Sequence, residues 1–215
     1  MTKQVKLSLA LAGTFVVVVA ALLTLTAMSN EPEAAPAQSG ESRLVRAESH
    51  ILGQKGSSDV TFVEFLDFEC EGCLAAYPAI EQLRKDYAGG VTFVVRHFPL
   101  HFNSERAART VEAAAQQGKF EQMYQRMFDT AEQWGHQQEP ADEVFASFAE
   151  ELGLDMTQFE ADYNDPATAE RVARDAADGK ALGVQGTPTF FVDGEKIEPQ
   201  SYEDLTEALD AALAD

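Results

Sequence analysis

Hydrophobic positions follow three different patterns along this chain. Residues 7–28 are rich in Leu, Val and Ala and carry no charge, which is typical of a membrane anchor or a signal segment. Residues 60–66 and 91–95 are short β-branched and aromatic runs, and each run predicts a buried strand. Residues 74–87 and 104–182 show helical spacing instead. The sequence therefore predicts an apolar N-terminal segment followed by a mixture of strands and helices.

The first folded unit combines a strand, a helix and a second strand. The strand predicted over Val60–Leu66 contains one acid, Glu64, among apolar positions. The helix predicted over residues 74–87 contains Pro78, which is expected to kink it. A Gly-Gly pair separates this helix from the strand over residues 91–95. Such a unit implies a parallel pair of strands joined by a right-handed crossover.

A long helical block follows the second strand. Ala, Glu, Gln and Arg recur with helical periodicity over residues 104–182. Breaks near Gly135–Pro140, at Gly153 and at Asp165–Pro166 predict three or four helices. The block separates the first folded unit from the last part of the chain.

A hairpin and a helix are predicted at the end of the chain. Gly186–Gly194 contains a short apolar strand that enters an Asp-Gly turn, and residues 196–198 supply the matching strand. Ser201 is the expected N-cap of the last helix, which has acids in its first turn. The predicted plan is an α/β fold with the order βαβ, helical block, ββα.

The N-terminal segment predicts the compartment. Leu7–Met28 comprises 22 uncharged positions, and a helix of that length spans about 33 Å, enough to cross a bilayer core. Lys3 and Lys6 precede it and residues 29–42 hold no Lys or Arg, so the N-terminus is expected in the cytoplasm and the rest outside. The alternative is a secreted chain with a cleaved signal, although Leu25–Ala27 is a poor cleavage site. Both alternatives export the rest of the chain.

The composition excludes several classes of function. Hydrophobic residues make up 45% of the chain, which is enough for a sizeable core. The formal net charge of −20 repels phosphate backbones, so nucleic acid is not an expected partner. Two cysteines cannot form a disulfide-stapled mini-protein or a four-thiolate zinc site.

The two cysteines, Cys70 and Cys73, stand three positions apart between a predicted strand and a predicted helix. Unpaired amides and the helix dipole stabilise a thiolate at the first helical position. The second cysteine lies one turn inside the helix, within disulfide reach of the first and less open to attack. In an exported chain this arrangement predicts a redox-active pair.

Two other interpretations of the pair carry less weight. A purely structural disulfide would close a very small ring, which stabilises by only about 2 kcal/mol against nearly 5 for a loop of about 100 residues. A metal site would need further ligands, and the histidines of the chain are His50, His97, His101 and His136. His97 and His101 are predicted to be loop and surface residues, so no metal site is predicted.

Three stretches resemble DsbA-like thiol:disulfide interchange proteins, and the membrane-anchored bacterial forms most closely. They are Phe65–Cys73, Arg96–Leu100 and Gly186–Gly194. The resemblance implies a thioredoxin-like fold with an inserted helical domain, preceded by an N-terminal transmembrane helix. The implied division of the chain is 1–28 for the cytoplasmic stub and the anchor or signal segment, 29–48 for a flexible linker, 49–103 and 183–215 for the two parts of the thioredoxin-like domain, and 104–182 for the helical insertion.

The resemblance also implies a role for each residue of the site. Cys70 resembles the thiol that forms the mixed disulfide with a client, and Cys73 resembles the resolving thiol. Pro188 resembles a cis-proline that faces the disulfide and leaves the backbone of Thr187 to bind a substrate strand. Glu64 resembles a buried acid that carries a proton to or from Cys73. The alternative for Glu64 is a core acid with satisfied hydrogen bonds or a residue at a strand edge.

The dipeptide between the cysteines departs from the family pattern. Glu71-Gly72 stands where strongly oxidising members carry Pro-His. Glu71 and Glu69 flank Cys70, and their negative charges are expected to disfavour its thiolate. The pKa of Cys70 is therefore expected above that of the most acidic family members, and the protein is expected to be a weaker oxidant.

Together these observations predict an exported thiol:disulfide oxidoreductase that oxidises cysteine pairs of exported client proteins. It needs no cofactor and no metal, and a monomer is expected. The resemblance implies a membrane quinone-linked disulfide oxidase as the recycling partner. The alternatives are a disulfide reductase or isomerase, and a non-catalytic thioredoxin-like binding module of the cell envelope. Trp134 is interpreted either as core packing or as part of a substrate groove.

Overall fold

The computed structural model describes residues 43–214 of the chain. The strands in this part are β1 (His50–Ile51), β2 (Thr61–Leu66), β3 (Thr92–His97), β4 (Thr189–Val192) and β5 (Glu195–Ile197). They form a single sheet in the order β1-β3-β2-β4-β5. Strands β2 and β3 are parallel, whereas the other three neighbouring pairs are antiparallel.

Helices cover the sheet and follow the predicted order. Within residues 43–214 they are α1 (Glu71–Asp86), α2 (Ser104–Ala115), α3 (Phe120–Asp129), α4 (Ala131–Trp134), α5 (Asp142–Glu151), α6 (Met156–Asn164), α7 (Pro166–Ala181) and α8 (Tyr202–Ala214). The helix α1 connects the parallel strands β2 and β3, and α8 follows the hairpin β4–β5. The predicted βαβ and ββα units are therefore confirmed.

The central strand β2 supplies side chains to both hydrophobic clusters of the core. Phe62 and Leu66 belong to the larger cluster, which includes Cys73 of α1. Val63 and Phe65 belong to a smaller cluster on the other face. Because side chains alternate along a strand, Glu64 points to the same face as Phe62 and Leu66. An acid is thus placed on the face of the sheet that α1 covers.

The turn between β4 and β5 follows the predicted Asp-Gly signal. Asp193 and Gly194 have φ values of 46° and 91°. Two successive residues with positive φ are typical of a type I′ hairpin turn. Strand β5 begins at Glu195, one residue before the predicted position.

The helical block contains more helices than expected. Residues 104–182, all of which the structure describes, form six helices rather than the three or four predicted. The prediction missed two breaks: one lies between α2 and α3, where Gly118 has a φ of 70°, and the other lies at Thr130 between α3 and α4. One glycine in an Ala- and Gln-rich run is a weak signal, because glycine is also tolerated inside helices. The breaks at Gly153 and Asp165 are confirmed.

Two elements extend beyond their predicted ends. Helix α1 begins at Glu71 rather than at residue 74 and continues as one helix through Pro78. Strand β3 continues to His97 because its pairing with β2 extends to the register Leu66–His97. The prediction that His97 lies in a loop is therefore wrong.

The folded part also begins earlier than the linker prediction placed it. Leu44, in the predicted linker 29–48, is buried in the smaller hydrophobic cluster. Arg46 forms an ion pair with Asp178 of α7. Residues 44–46 are therefore part of the packed structure.

The predicted anchor or signal segment, residues 7–28, lies outside the described residues. In the part that the structure describes, no helix combines the length and the apolar character needed to cross a membrane.

Candidate active site

Cys70 stands at the junction between β2 and α1. It is the N-cap residue of α1, with an extended backbone (φ −76°, ψ 124°), and its N–H donates to the carbonyl oxygen of Asp67 at 3.1 Å. This turn places the Cys70 side chain at the N-terminal end of the helix, where free amides face it. The side chain is partly exposed, and neither cysteine is in a disulfide in this structure.

The surroundings of Cys70 favour its thiolate. The pKa of Cys70 is lowered to about 5, first by a hydrogen bond from the Cys73 thiol and then, against the effect of burial, by Thr187 and the amides of Cys73 and Gly72. When protonated, the Cys70 thiol donates to the carbonyl oxygen of Thr187 at 3.2 Å. At neutral pH the thiolate form of Cys70 therefore predominates.

Cys73 has the opposite character. It is fully buried, and the backbone N–H of Asp67 donates to its Sγ at 3.5 Å. The pKa of Cys73 is raised well above its ordinary value, first by its hydrogen bond to Cys70 and then by burial and the charge of Glu64. The shared proton thus stays on Cys73, and the negative charge stays on Cys70.

The Thr187–Pro188 peptide bond is cis and lies against the start of α1. Gly72, which departs from the family dipeptide, has a packing role in the structure. A Cβ atom at Gly72 would stand 3.1 Å from Cδ of Pro188 and 3.6 Å from Sγ of Cys70. The absence of a side chain at Gly72 therefore lets the helix and the proline loop approach each other closely.

Glu64 lies in the interior on the cysteine side of the sheet. Burial first, and then the negative charges of Glu81 and Cys70, raise the pKa of Glu64 to about 8. When it is ionised, its charge also raises the pKa of Cys73. Glu64 is thus protonated for the most part at neutral pH, as a proton carrier for Cys73 would have to be.

The comparisons with known proteins agree with this geometry. A thioredoxin family model matches residues 46–211. The chain belongs to the thioredoxin family. Among solved structures, a thioredoxin-like oxidoreductase from Silicibacter pomeroyi is 31% identical, with a TM-score of 0.65 over 78% of this chain and 93% of that one. The thiol-disulfide exchange protein alpha-DsbA2 from Wolbachia pipientis is 23% identical and shares the fold, with a TM-score of 0.67 over 79% of this chain and 89% of that one. This thioredoxin-family chain therefore has the DsbA-like form of the fold.

Curated relatives include much longer proteins. The Na(+)/H(+) antiporter NhaA of Herminiimonas arsenicoxydans is 40% identical over 148 residues, which are 69% of this chain and 23% of the antiporter. NhaA 3 of Salinispora tropica is 39% identical over 171 residues, which are 77% of this chain and 25% of that antiporter. The thioredoxin-family chain thus spans about a quarter of the length of these relatives.

The two acids that flank Cys70 in this thioredoxin-family chain differ in environment. Glu69 is buried, and its carboxylate accepts hydrogen bonds from the backbone N–H groups of Asn103 at 2.7 Å and His136 at 2.9 Å. Glu71 is largely exposed to solvent. Neither acid is among the leading causes of the shifted pKa of Cys70. It stays a prediction that the pKa of Cys70 is higher than the pKa of the corresponding cysteine in the most acidic family members.

The histidines predicted to be surface residues separate into two environments. His97 is buried and its Nε2 lies 2.8 Å from Oε1 of Glu112, which corrects the surface prediction. His101 does lie in a loop, with its side chain 39% exposed. Within residues 43–214 no cluster of His, Cys, Asp or Glu is suited to hold a metal ion.

Trp134 is a core residue. It is almost fully buried, and its ring packs edge-on against Phe145 with 5.0 Å between the ring centroids. The core interpretation is therefore confirmed, and the substrate-groove interpretation is wrong.

Replacing Glu64 with glutamine tests its buried carboxyl group. The pKa of Glu64 is about 8 in the folded protein, which exceeds the unfolded value. Glu64 therefore does not affect the free energy of unfolding below pH 4 and lowers it increasingly as pH rises towards 8. The Glu64→Gln variant should lack this dependence and, relative to wild type, gain about 2–4 kcal/mol between pH 5 and pH 8. Urea unfolding at both pH values measures the difference.

Glu198→Gln is the matched control because Glu198 is exposed. It should leave the pH dependence of unfolding as it is in wild type. Equal pH dependence in wild type and Glu64→Gln would show that Glu64 is already ionised at pH 5 in the folded protein.

Proposed function

We propose that this chain is a thiol:disulfide oxidoreductase that transfers the Cys70–Cys73 disulfide to cysteine pairs of client proteins. The observation that carries the proposal is the inequality of the two thiols. Cys70 is partly exposed with a pKa of about 5, whereas Cys73 is buried with a raised pKa. A client can reach only Cys70, and Cys73 is placed to resolve the bond that forms there.

The proposed reaction is a pair of thiol–disulfide exchanges. A client thiolate attacks Sγ of Cys70, the Cys70–Cys73 bond breaks, and its electron pair goes to Cys73. Cys73 takes up a proton, for which Glu64 is the proposed donor. The second client thiolate then attacks the client sulfur of the mixed disulfide and releases Cys70 as a thiolate. The client loses two electrons and the enzyme gains them, so no cofactor takes part.

The low pKa of Cys70 supports the oxidising direction. A stabilised thiolate lowers the free energy of the reduced enzyme, so the enzyme gives up its disulfide more readily. The likeness to the Silicibacter pomeroyi protein, which is named a thioredoxin-like oxidoreductase, supports redox chemistry in general.

Location and partners belong to the same proposal. The uncharged segment 7–28 and the lysines before it support a membrane-anchored chain whose catalytic part lies outside the cytoplasm. Its clients would be exported proteins with cysteine pairs. Each turnover leaves the enzyme reduced, and a membrane quinone-linked disulfide oxidase is the proposed partner that reoxidises it.

The equilibrium reduction potential of the full chain against glutathione tests the proposal, with thiol trapping and mass measurement as the readout. A potential near or above about −150 mV is expected for an oxidant of exported proteins. A potential at or below about −250 mV would instead assign a reductive role. If no exchange with glutathione takes place, the proposed redox function is refuted and the alternative of a non-catalytic binding module is favoured.

A further inference from the structure

An exposed loop of the helical block contacts both sequence neighbours of Cys70. The loop joins α4 to α5, and the side chains of its residues 136–140 are exposed. The backbone N–H of His136 donates to Oε1 of Glu69 at 2.9 Å. Nε2 of the same histidine lies 3.8 Å from Oε1 of Glu71. Because Glu69 and Glu71 flank Cys70 in sequence, His136 lies beside the segment that carries the reactive thiol.

Two buried polar residues, Glu69 and Asn103, hold this loop in place. Oε2 of Glu69 accepts the backbone N–H of Asn103 at 2.7 Å. The side chain of Asn103 donates from Nδ2 to the carbonyl oxygen of Glu139 at 3.0 Å, and its Oδ1 accepts the N–H of Ala141 at 3.1 Å. The loop is therefore held near its start by Glu69 and near its end by Asn103.

Such a fastening is unusual for an exposed loop. The backbone groups of surface loops commonly bond to water, and loops of this kind are often mobile. Burial of a carboxylate or a carboxamide is unfavourable unless its polar atoms are hydrogen-bonded. Here the bonds of both groups go to a segment whose side chains face solvent beside Cys70. A contact made by those exposed side chains would explain why the segment is held so firmly.

We infer that the 136–140 loop is a contact surface for the client polypeptide and that Glu69 is the positioning residue that holds it beside Cys70. A client in mixed disulfide with Cys70 is attached between Glu69 and Glu71, so its chain passes within reach of His136. The loop offers hydrogen-bonding side chains, which suit an extended polypeptide. The inference rests on the proposed function in taking Cys70 as the thiol that clients reach. The competing explanation is that Glu69 and Asn103 only stabilise the fold.

The reaction of Cys70 with two activated disulfides distinguishes contact from stability. The reduced full chain is mixed with the pyridyl disulfide of mercaptoethanol or with that of a peptide of about 12 residues, whose central cysteine leaves about 20 Å of chain on each side. In both reactions the Cys70 thiolate attacks the reagent sulfur and pyridinethione leaves, which absorbance follows. His136→Gly removes the ring at a φ of 57°, which glycine adopts freely. It should lower the ratio of the peptide rate constant to the mercaptoethanol rate constant about fivefold.

Asp193→Gly is the matched control. Asp193 is exposed and also has a positive φ, 46°. Its N–H donates to the carbonyl oxygen of Thr61, the first residue of β2, whereas Cys70 follows the last residue of that strand. The variant should keep the wild-type ratio of rate constants. A wild-type ratio in His136→Gly would overturn the inference.

Glu69→Gln tests the positioning role. Glutamine has one acceptor oxygen, so it can accept from His136 or from Asn103, and its NH₂ group then faces the other donor. Because Asn103 is interior and the loop is exposed, the loop should be released. Hydrogen exchange of the His136 amide should become about tenfold faster, and the ratio of rate constants should fall as in His136→Gly. A wild-type ratio together with a lower free energy of unfolding would show that Glu69 only stabilises the fold. His136 is exposed, so His136→Gly decides the inference even if Glu69→Gln does not fold.

The outcome is separate from that of the proposed function. Activated disulfides react with any accessible thiolate, so the ratio can be measured whether or not the protein exchanges disulfides with glutathione. A lowered ratio in His136→Gly with no glutathione exchange would refute the proposed function alone. An unchanged ratio in a protein that exchanges normally would refute the loop inference alone.

Discussion

Replacing Cys70 with serine is expected to lower the rate of disulfide exchange by at least about a thousandfold. Cys70 and Cys73 are the only cysteines of the chain, and Cys73 is fully buried. Without Cys70 no accessible thiol remains at the site, and the pKa of Cys73 is too high for it to form a thiolate. The measurement is the rate at which the reduced chain reacts with oxidised glutathione, followed by mass.

Cys73→Ser is the matched variant, and it should fail in a different way. The serine hydroxyl can still donate a hydrogen bond to Cys70, so Cys70 keeps much of its reactivity. With no resolving thiol, a mixed disulfide between Cys70 and glutathione should accumulate to one per chain. If Cys70→Ser accumulated such an adduct instead, the roles of the two cysteines would be reversed. If both variants bound clients as well as wild type, a binding module would explain the protein better.

The sequence was sufficient for the elements whose signals are local. The β-branched and aromatic run 60–66 predicted a buried strand, and the pair Asp193-Gly194 predicted the turn of the β4–β5 hairpin. The two cysteines at the start of α1 were also locally defined, because a strand end and a helix start enclose them. These signals depend on neighbouring residues, so no distant part of the chain had to be known.

The surroundings of the cysteines depend on residues that are far apart in sequence. Asp67 could have been noticed as an acid at the end of β2, but its contact with His101 requires the register of β3 beside β2. His97 was predicted to lie in a loop because the apolar run that predicted β3 ends at residue 95. Its pairing with β2 and its contact with Glu112 of α2 are tertiary. The close fit of Gly72 against Pro188 joins positions 116 residues apart. Contacts of this kind arise from tertiary packing, which hydrophobic periodicity does not specify.

The second large effect is expected from Arg96, whose replacement by methionine should destabilise the fold by about 3–5 kcal/mol. Arg96 is fully buried and binds Asp175 at 2.9 Å and Asp178 at 2.7 Å. It also donates to the carbonyl oxygens of Arg43 and Leu44. Methionine fills a similar volume but removes the Arg96 hydrogen bonds to these groups. Asp178 keeps its hydrogen bond from Arg46, and Asp175 keeps the one from the N–H of His97. Urea unfolding of the two proteins at pH 7 measures the loss.

The pH dependence of this loss identifies its cause. Although burial opposes it, hydrogen bonds from Arg46 and Arg96 lower the pKa of Asp178, so this group stabilises the fold above its unfolded pKa and less as pH falls through the folded value. The deficit of Arg96→Met should therefore shrink between pH 7 and pH 3, since protonation removes the uncompensated charge. Arg174→Met, on the helix α7 that also carries Asp178, is the control. The Arg174–Glu48 pair is solvent-exposed and is expected to contribute less than about 1 kcal/mol. If the loss of unfolding free energy in Arg96→Met stayed constant with pH, lost packing would be its cause. The buried charge cluster would then not be what holds residues 43–44 against the sheet.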